Sequence, residues 1–328
     1  MKFVISEEQR ALAEAIDQVI ESVGGTAVAR AASEGDAAPA RALWEQLAEL
    51  GLLGLCIDEA DGGMGGTPVD LIVAFERLGY HAAPGPYLES AALLPDLVDP
   101  ALRESLADGS VIATAAIPGF VPYALDAQLC SQQFIVTEDS ITPAGAGEGQ
   151  ESIDAARTLH ELVPAGPAAA LDPQAVALAI DRATLGSAAM LLGAGERLLE
   201  EAVAYAKLRE QFGRVIGEYQ GLKHQLANVR VALTFARPLL KGAALDLGTP
   251  AGERSVSAAK VAASDAAILA ARTALQVHGA IGYTQEHDLS LWLTRVHALA
   301  SAWGTGRYHR SRIAASILAP AAILSPAS

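Results

Sequence analysis

The sequence predicts an α+β chain that is mainly helical. It divides into a helical N-terminal domain (1–107), a reduced small β-barrel in the middle (108–170) and a C-terminal four-helix bundle (171–328). Apolar residues recur at helical spacing on both sides of the centre. The centre instead carries two short strand-like runs, Val111–Ile117 and Gln133–Thr137, set among prolines and glycines. The last part has long stretches almost free of helix breakers, as a bundle requires.

Taken in order, Ser6 and Gln9 have the spacing of a capping box, and Leu12, Ile16, Val19, Ile20 and Val23 continue one helical face. That helix should stop near Gly24-Gly25. A second runs from about Pro39 through Trp44, Leu47 and Leu50 to Gly51. Asp61-Gly62-Gly63-Met64-Gly65-Gly66 is too rich in glycine for regular structure, and helices from Pro68 to Gly79 and around Tyr87 to Leu97 follow. In the middle segment, Gly145 to Gly149 reads as a surface turn, and few polar side chains are suited to orient a substrate. Helices return over Ala175–Arg209, interrupted by Gly186, Gly193 and Gly195. Further helices cover Gln220–Leu247, Ser255–His278 and Leu289 to about Leu318, the last with a break at Gly304-Thr305-Gly306. The alanine-rich faces bury little area each, so another subunit is expected to complete them.

A net charge of -15, with no continuous basic patch, argues against nucleic acid and anionic membrane surfaces as partners. Cys56 and Cys130 fit a reduced chain, and no Cys/His ligand spacing predicts a metal site. The opening residues lack the apolar core of an export signal, so the expected location is cytoplasmic. The apolar tract Leu185–Gly195 is too short to span a membrane and reads as a buried helix.

Two segments suggest a nucleotide cofactor. Arg209-Glu210-Gln211-Phe212-Gly213, expected within a long helical stretch, offers a guanidinium fork beside an aromatic platform. Gln276-Val277-His278-Gly279-Ala280-Ile281-Gly282-Tyr283 places glycines after a helix, where backbone N–H groups can approach a phosphate. The plainer alternative makes Arg209 a surface ion-pair residue, Phe212 core and the glycines a helix cap. No GxGxxG follows a strand, so a doubly wound dinucleotide fold is unsupported. No Ser-His-Asp set or paired carboxylates are evident.

At these residues the chain resembles the acyl-CoA dehydrogenase family. The likeness runs through Tyr205, Arg209, Phe212-Gly213, Ile216-Gly217, Gln220, His224 and Leu226-Ala227, then Gln276, Gly279, Gly282, Thr284, Glu286 and Arg295. In the N-terminal half it is carried by Trp44 to Leu55 and Gly62-Gly63-Met64-Gly65. The resemblance implies FAD, a CoA thioester substrate, α,β-dehydrogenation and an electron-transferring flavoprotein as acceptor. It also implies that Arg209 meets the flavin's pyrophosphate, that Phe212 packs on the cofactor, and that Gln276 and Gly279 hold its adenosine side. Gln220 and Thr305 join the cofactor-binding set, and the Arg209 and Gln276 segments are implied to face a neighbouring subunit's FAD. Ala280 departs from the family, which commonly has a second glycine there.

Two further departures bear on activity. The chain passes from Ala115-Ala116-Ile117-Pro118 to Asp126-Ala127 and Phe134 without the family's flavin-embracing segment. The family's base precedes a Gly-Thr pair, where this chain has Trp303, or lies on the earlier helix at a position aligned to Ala183. Neither side chain can accept a proton. The pattern resembles the shortened subunits of heteromeric acyl-CoA dehydrogenases, in which a full-length partner supplies base and flavin wall. The expectation is a non-catalytic subunit of an α2β2 heterotetramer, with CoA esters of steroid side chains as the implied substrate class. The alternatives are a complete homomeric dehydrogenase using Glu286 or Asp181 as base, and a flavin-free scaffold.

Overall fold

The structure, a computed structural model, describes residues 5–284 and 287–318, the side chain of Tyr283 aside. Glu286 therefore lies outside the described residues. Helix α1 (Glu7–Val23) starts at the anticipated capping box: the Gln9 N–H donates to Ser6 Oγ at 3.2 Å and the Ser6 N–H to Gln9 Oε1 at 2.9 Å. It ends at Gly24, whose φ of 132° few side chains would tolerate. A short α2 (Thr26–Ser33), not anticipated from the sequence, comes before α3 (Ala38–Glu49) and α4 (Pro68–Tyr80). The stretch expected as a helix around Tyr87 to Leu97 is instead a π-helical turn, Leu88–Leu93, followed by a 3₁₀ turn, Leu94–Asp96. Its apolar periodicity matches an α-helix, but Pro95 removes a backbone donor at its end. A second unanticipated helix, α5 (Pro100–Ala107), closes this region.

The centre holds β1 (Ala113–Ala116), β2 (Ala124–Leu125), β3 (Gln132–Val136), β4 (Ser140–Gln150), β5 (Leu159–Pro164) and β6 (Ala169–Ala170). They form one sheet in the order β1-β3-β4-β5-β2, with β6 on β4. β1 runs parallel to β3 and the other pairs are antiparallel. β1 and β2 are neighbours without a shared ladder, which leaves the reduced barrel nearly closed. Gly145–Gly149 is not the surface turn its composition suggested. It lies inside β4, paired with β5 and bulged between Ala146 and Gly149, because the β5 partner strand satisfies a backbone that its own residues would not hold extended.

The long helix α6 (Pro173–Leu208) is the axis of the molecule. By length and composition it could cross a membrane, yet 72% of its most apolar window is buried against the rest of the chain, so it serves as a core helix. The hairpin strands β7 (Glu210–Gln211) and β8 (Arg214–Val215) follow, then α7 (Gln220–Asp246) and α8 (Gly252–His278). The expected break in the last helix separates α9 (Leu289–Ser301) from α10 (Gly306–Leu318). The glycines of α6 are points of close approach: a β-carbon on Gly193 would lie 1.9 Å from the Glu76 carbonyl oxygen of α4. Helices α4, α7, α8 and α9 all pack against α6, which joins the N-terminal helices and the bundle into one core.

Candidate functional site

Arg209 does not lie in a helix. α6 ends at Leu208, and Arg209 is the extended residue that caps it, its N–H donating to Tyr205 O at 3.0 Å. The chain then reverses through the β7–β8 hairpin, with Phe212 and Gly213 in the turn at φ 56° and 81°. Two consecutive residues with positive φ match the twist of a two-residue hairpin, a geometry that glycine accepts freely and phenylalanine does not. The motif's glycine and the cost of continuing the helix past the Arg209 cap explain the departure from the helical expectation. Tyr219 braces the hairpin: its hydroxyl donates to Gln211 O at 3.1 Å, and the Arg214 guanidinium sits 4.0 Å from its ring centroid.

Phe212 is 93% exposed, which overturns its alternative reading as a core residue. Arg209 is exposed as well, and among the described residues its guanidinium has no ion-pair or hydrogen-bond partner. Gln220, at the start of α7, is also exposed.

The second motif ends α8. Gln276 is exposed, and Gly279 follows the helix with φ 64°, where a β-carbon would meet no atom within 4 Å. That glycine is there for its backbone conformation, and the space over it is open. Ala280, at the position of the family's second glycine, is likewise exposed. His278 is buried and stacks on Tyr205 of α6, ring centroids 4.3 Å apart, with Nδ1 2.8 Å from Ala274 O. Burial holds its imidazole below the ordinary histidine range. The hairpin and the glycine turn therefore hang from one stacked ring pair. A free guanidinium, an unpacked aromatic ring and an open glycine backbone fit the outer side of a nucleotide held from elsewhere.

The two residues expected at the family's base positions lie in other surroundings. Ala183 is fully buried in α6. Trp303, after α9, is 1% exposed and has φ 55°, an uncommon conformation for a bulky residue. Its carbonyl accepts from His309 Nε2 at 2.8 Å, and His309 Nδ1 lies 3.1 Å from Ser257 Oγ. Burial pushes His309 down to about 4, so the ring is neutral at pH 7. Behind this loop the fully buried Lys260 donates to Ser187 Oγ at 2.9 Å and to Leu299 O at 2.5 Å, and burial lowers its pKa to about 7. Thr305, exposed, caps α10 by accepting from the Tyr308 N–H at 3.2 Å.

Trp303 lines a cleft of about 270 Å³ together with Phe120, Tyr123, Leu125, Glu89 and Arg157. Sequence reasoning missed the last two. Glu89 sits on the π-helical turn, 1% exposed, and burial raises its pKa to about 7. The one signal for it is a lone charged residue in the mostly apolar Tyr87–Leu94. Arg157 is also buried, which corrects the expectation that the middle segment is poor in polar groups of use: Asp126, Asp154 and Thr158 lie beside it. Asp181, weighed as an alternative base, is instead half of a partly buried ion pair with Arg312 at 2.9 Å and does not line the cleft. Burial nonetheless leaves its carboxyl above the usual range. Among the described residues no three His, Cys, Asp or Glu side chains are grouped to hold a metal.

Helices before and after a small sheet, with a protruding hairpin beside an open glycine turn, define a helical cofactor scaffold and not a doubly wound one. Sequence profiles for the N-terminal and C-terminal domains of acyl-CoA dehydrogenases match residues 6–94 and 173–318. The acyl-CoA dehydrogenase IpdE2 of Mycolicibacterium smegmatis is 32% identical over 95% of this chain and 100% of its own length. The acyl-CoA dehydrogenase FadE34 of Mycobacterium tuberculosis is 30% identical over 94% of this chain, which spans 48% of that relative. A chain of the ChsE4–ChsE5 complex from Mycobacterium tuberculosis shares the fold with a TM-score of 0.83, at 22% identity over 100% of both chains. A Mycobacterium smegmatis glutaryl-CoA dehydrogenase in complex with FADH2 gives 0.83 at 19% identity, over 97% of this chain and 96% of that one. The chain belongs to the acyl-CoA dehydrogenase family, oxidoreductases acting on CH–CH donors.

Proposed function

We propose that the chain is a non-catalytic subunit of a heteromeric, FAD-dependent acyl-CoA dehydrogenase, contributing the adenosine and pyrophosphate side of a flavin site to a full-length partner of the same family. The carrying observation is Phe212, 93% exposed in a strained turn next to the unpaired Arg209. An aromatic ring held in water at a backbone cost is explained by a surface that covers it elsewhere. Arg209 would hold the pyrophosphate, Phe212 would pack on the cofactor, and Gln220, Gln276, Gly279 and Thr305 would border its remaining length. When bound, FAD supplies the hydride acceptor for α,β-dehydrogenation. This chain's part is to bind, orient and exclude water, because neither Trp303 nor Ala183 can take the substrate's α proton.

The assembly that follows is an α2β2 heterotetramer in which the partner's site takes the acyl-CoA, and an electron-transferring flavoprotein receives the electrons. The likeness to a chain of the ChsE4–ChsE5 complex supports a two-chain assembly, and CoA esters of steroid side chains remain the substrate class that the resemblance implies. Co-expression with a longer family member should give a yellow complex, whereas the isolated chain should carry little flavin. Absorbance after gel filtration measures both. Stoichiometric FAD on the isolated chain would overturn the half-site reading.

Glu89 favours a second reading, a complete homomeric dehydrogenase with a displaced base, since it is a buried carboxyl group of raised pKa in the Trp303 cleft. Acyl-CoA oxidation by the isolated chain, abolished in Glu89→Gln, would establish that reading.

A further inference from the structure

The outer face of α7 is apolar and uncovered among the described residues. Val231, Phe235 and Leu239 follow one another at intervals of four residues, and Leu245 closes the same face near the end of the helix. Phe235 is 73% exposed and the other three are about half exposed. The helix packs on α4, α6 and α8, and its buried residues Val229, Leu233, Ala236 and Leu240 lie on the opposite side. No ionisable side chain interrupts the outer face between Ala227 and Leu245. The cations of α7 stand on its flank instead. There Arg230 pairs with Glu196 of α6 and Arg237 with Glu76 of α4 at 2.7 Å, and Lys241 borders Glu76 as well. A stripe of large apolar side chains left in water, beside cations that are drawn back from it, has the character of a contact surface.

We propose that this stripe joins two copies of the chain, with their α7 helices antiparallel about a two-fold axis at Phe235. A contact between identical surfaces must match itself, which a contact with a different partner need not do. Phe235 lies midway between Val231 and Leu239. The axis therefore sets Phe235 against Phe235, and each Val231 against the other copy's Leu239. Charge points the same way. A chain of net charge -15 repels its copy wherever like charges meet, and this stripe lets two copies approach without such a pair. At roughly 100 Å² for each of the four large side chains, two copies bury on the order of 800 Å² from them alone and about 1,000 Å² with the small residues between, the size at which a specific interface begins. The contact goes beyond the flavin half-site and does not rest on it. Arg209, Phe212 and Gly279 all lie outside the Val231–Leu245 stripe, so one chain can meet its copy here and a different subunit there.

Sedimentation equilibrium of the isolated full chain tests the contact. The wild type should dimerise with a Kd on the order of 10 µM, as an interface of this size allows. Phe235→Glu and Phe235→Lys each place like charges at the axis and should raise that Kd at least about tenfold. Mixed in equal amounts, the two variants should associate again, within about threefold of the wild type, because opposite charges then meet at the axis. Phe235 is exposed, so circular dichroism should show both variants folded as the wild type is. A wild type that stays monomeric up to about 100 µM, a dimer unchanged in both variants, or variants that fail to associate when mixed would each overturn the assignment. Flavin content enters none of these measurements, so the half-site proposal stands or falls separately.

Discussion

Tyr205 and His278 stack with ring centroids 4.3 Å apart and planes inclined by 29°, joining the end of α6 to the end of α8. Tyr205 also accepts the Arg209 N–H, and His278 directly precedes Gly279, so two motifs distant in sequence share one support. His278→Ala should loosen both at once. In the complex with its partner, FAD affinity should fall about threefold to tenfold although no predicted contact residue is altered, reflecting a lost aromatic pair of roughly 0.5–1.5 kcal/mol. Fluorescence titration of FAD reads the change, and unchanged affinity would show that the two motifs are supported independently.

Arg209→Ala should lower FAD affinity in the complex by roughly 1.5–3 kcal/mol, the scale of a charge-assisted hydrogen bond to phosphate. Arg209→Lys should recover only part, since an ammonium lacks the bidentate fork. If all three proteins bind FAD equally, Arg209 is a solvated helix-end cation.

Phe212→Ser should separate folding from assembly. The side chain is 93% exposed, so the isolated chain's unfolding free energy should shift by no more than about 0.5 kcal/mol. The heteromeric complex should lose flavin or dissociate on gel filtration. A large fall in the isolated chain's Tm would show that the ring is packed in solution.

Trp303→Glu should not create turnover in the isolated chain. The new carboxyl group would enter a buried position, where desolvation favours its neutral form, and the loss of ring packing should cost about 3–5 kcal/mol. In a complex that keeps its flavin, the rate set by the partner should stay nearly unchanged. Acyl-CoA oxidation with an artificial electron acceptor checks both outcomes, and a gain in the isolated chain would place residue 303 in a working site.

Lys260 should make stability depend on alkaline pH. Its folded-state pKa is lowered to about 7 from 10.5, so between those values the unfolded chain binds more protons than the folded one. Stability should therefore rise as pH increases from about 7 toward 10.5. Lys260→Met should remove most of that rise, on the order of 1–3 kcal/mol, as followed by thermal unfolding across this range. A rise of equal size in the variant would assign it to other groups.

The helical regions were legible because their apolar residues keep the helical period over many turns and their ends carry local signals such as Ser6 with Gln9. Short elements were not: α2 and α5, of 8 residues each, offer too few turns for periodicity to register. β4 was hidden because its glycines have the composition of a turn, and only pairing with β5 makes them a strand. The candidate cofactor residues could be named from the order of their motif, but their exposure could not. Glu89 and Arg157 lie far apart in sequence and belong to no local pattern, so nothing along the chain announces that they meet.

By itself the sequence determined the succession of helices, strands and bundle, and the family, because capping, periodicity and motif order are written along the chain. It also carried the expectation, from the family resemblance, that the usual base positions hold Trp303 and Ala183. Tertiary structure decided what those residues face. It turned the Arg209 motif from helix into a protruding hairpin, hung that hairpin and the Gly279 turn on one ring pair, and placed Trp303 in the wall of a cleft. The physical reason is that local signals act within a few residues, whereas exposure and shifted protonation arise only where distant segments exclude water together.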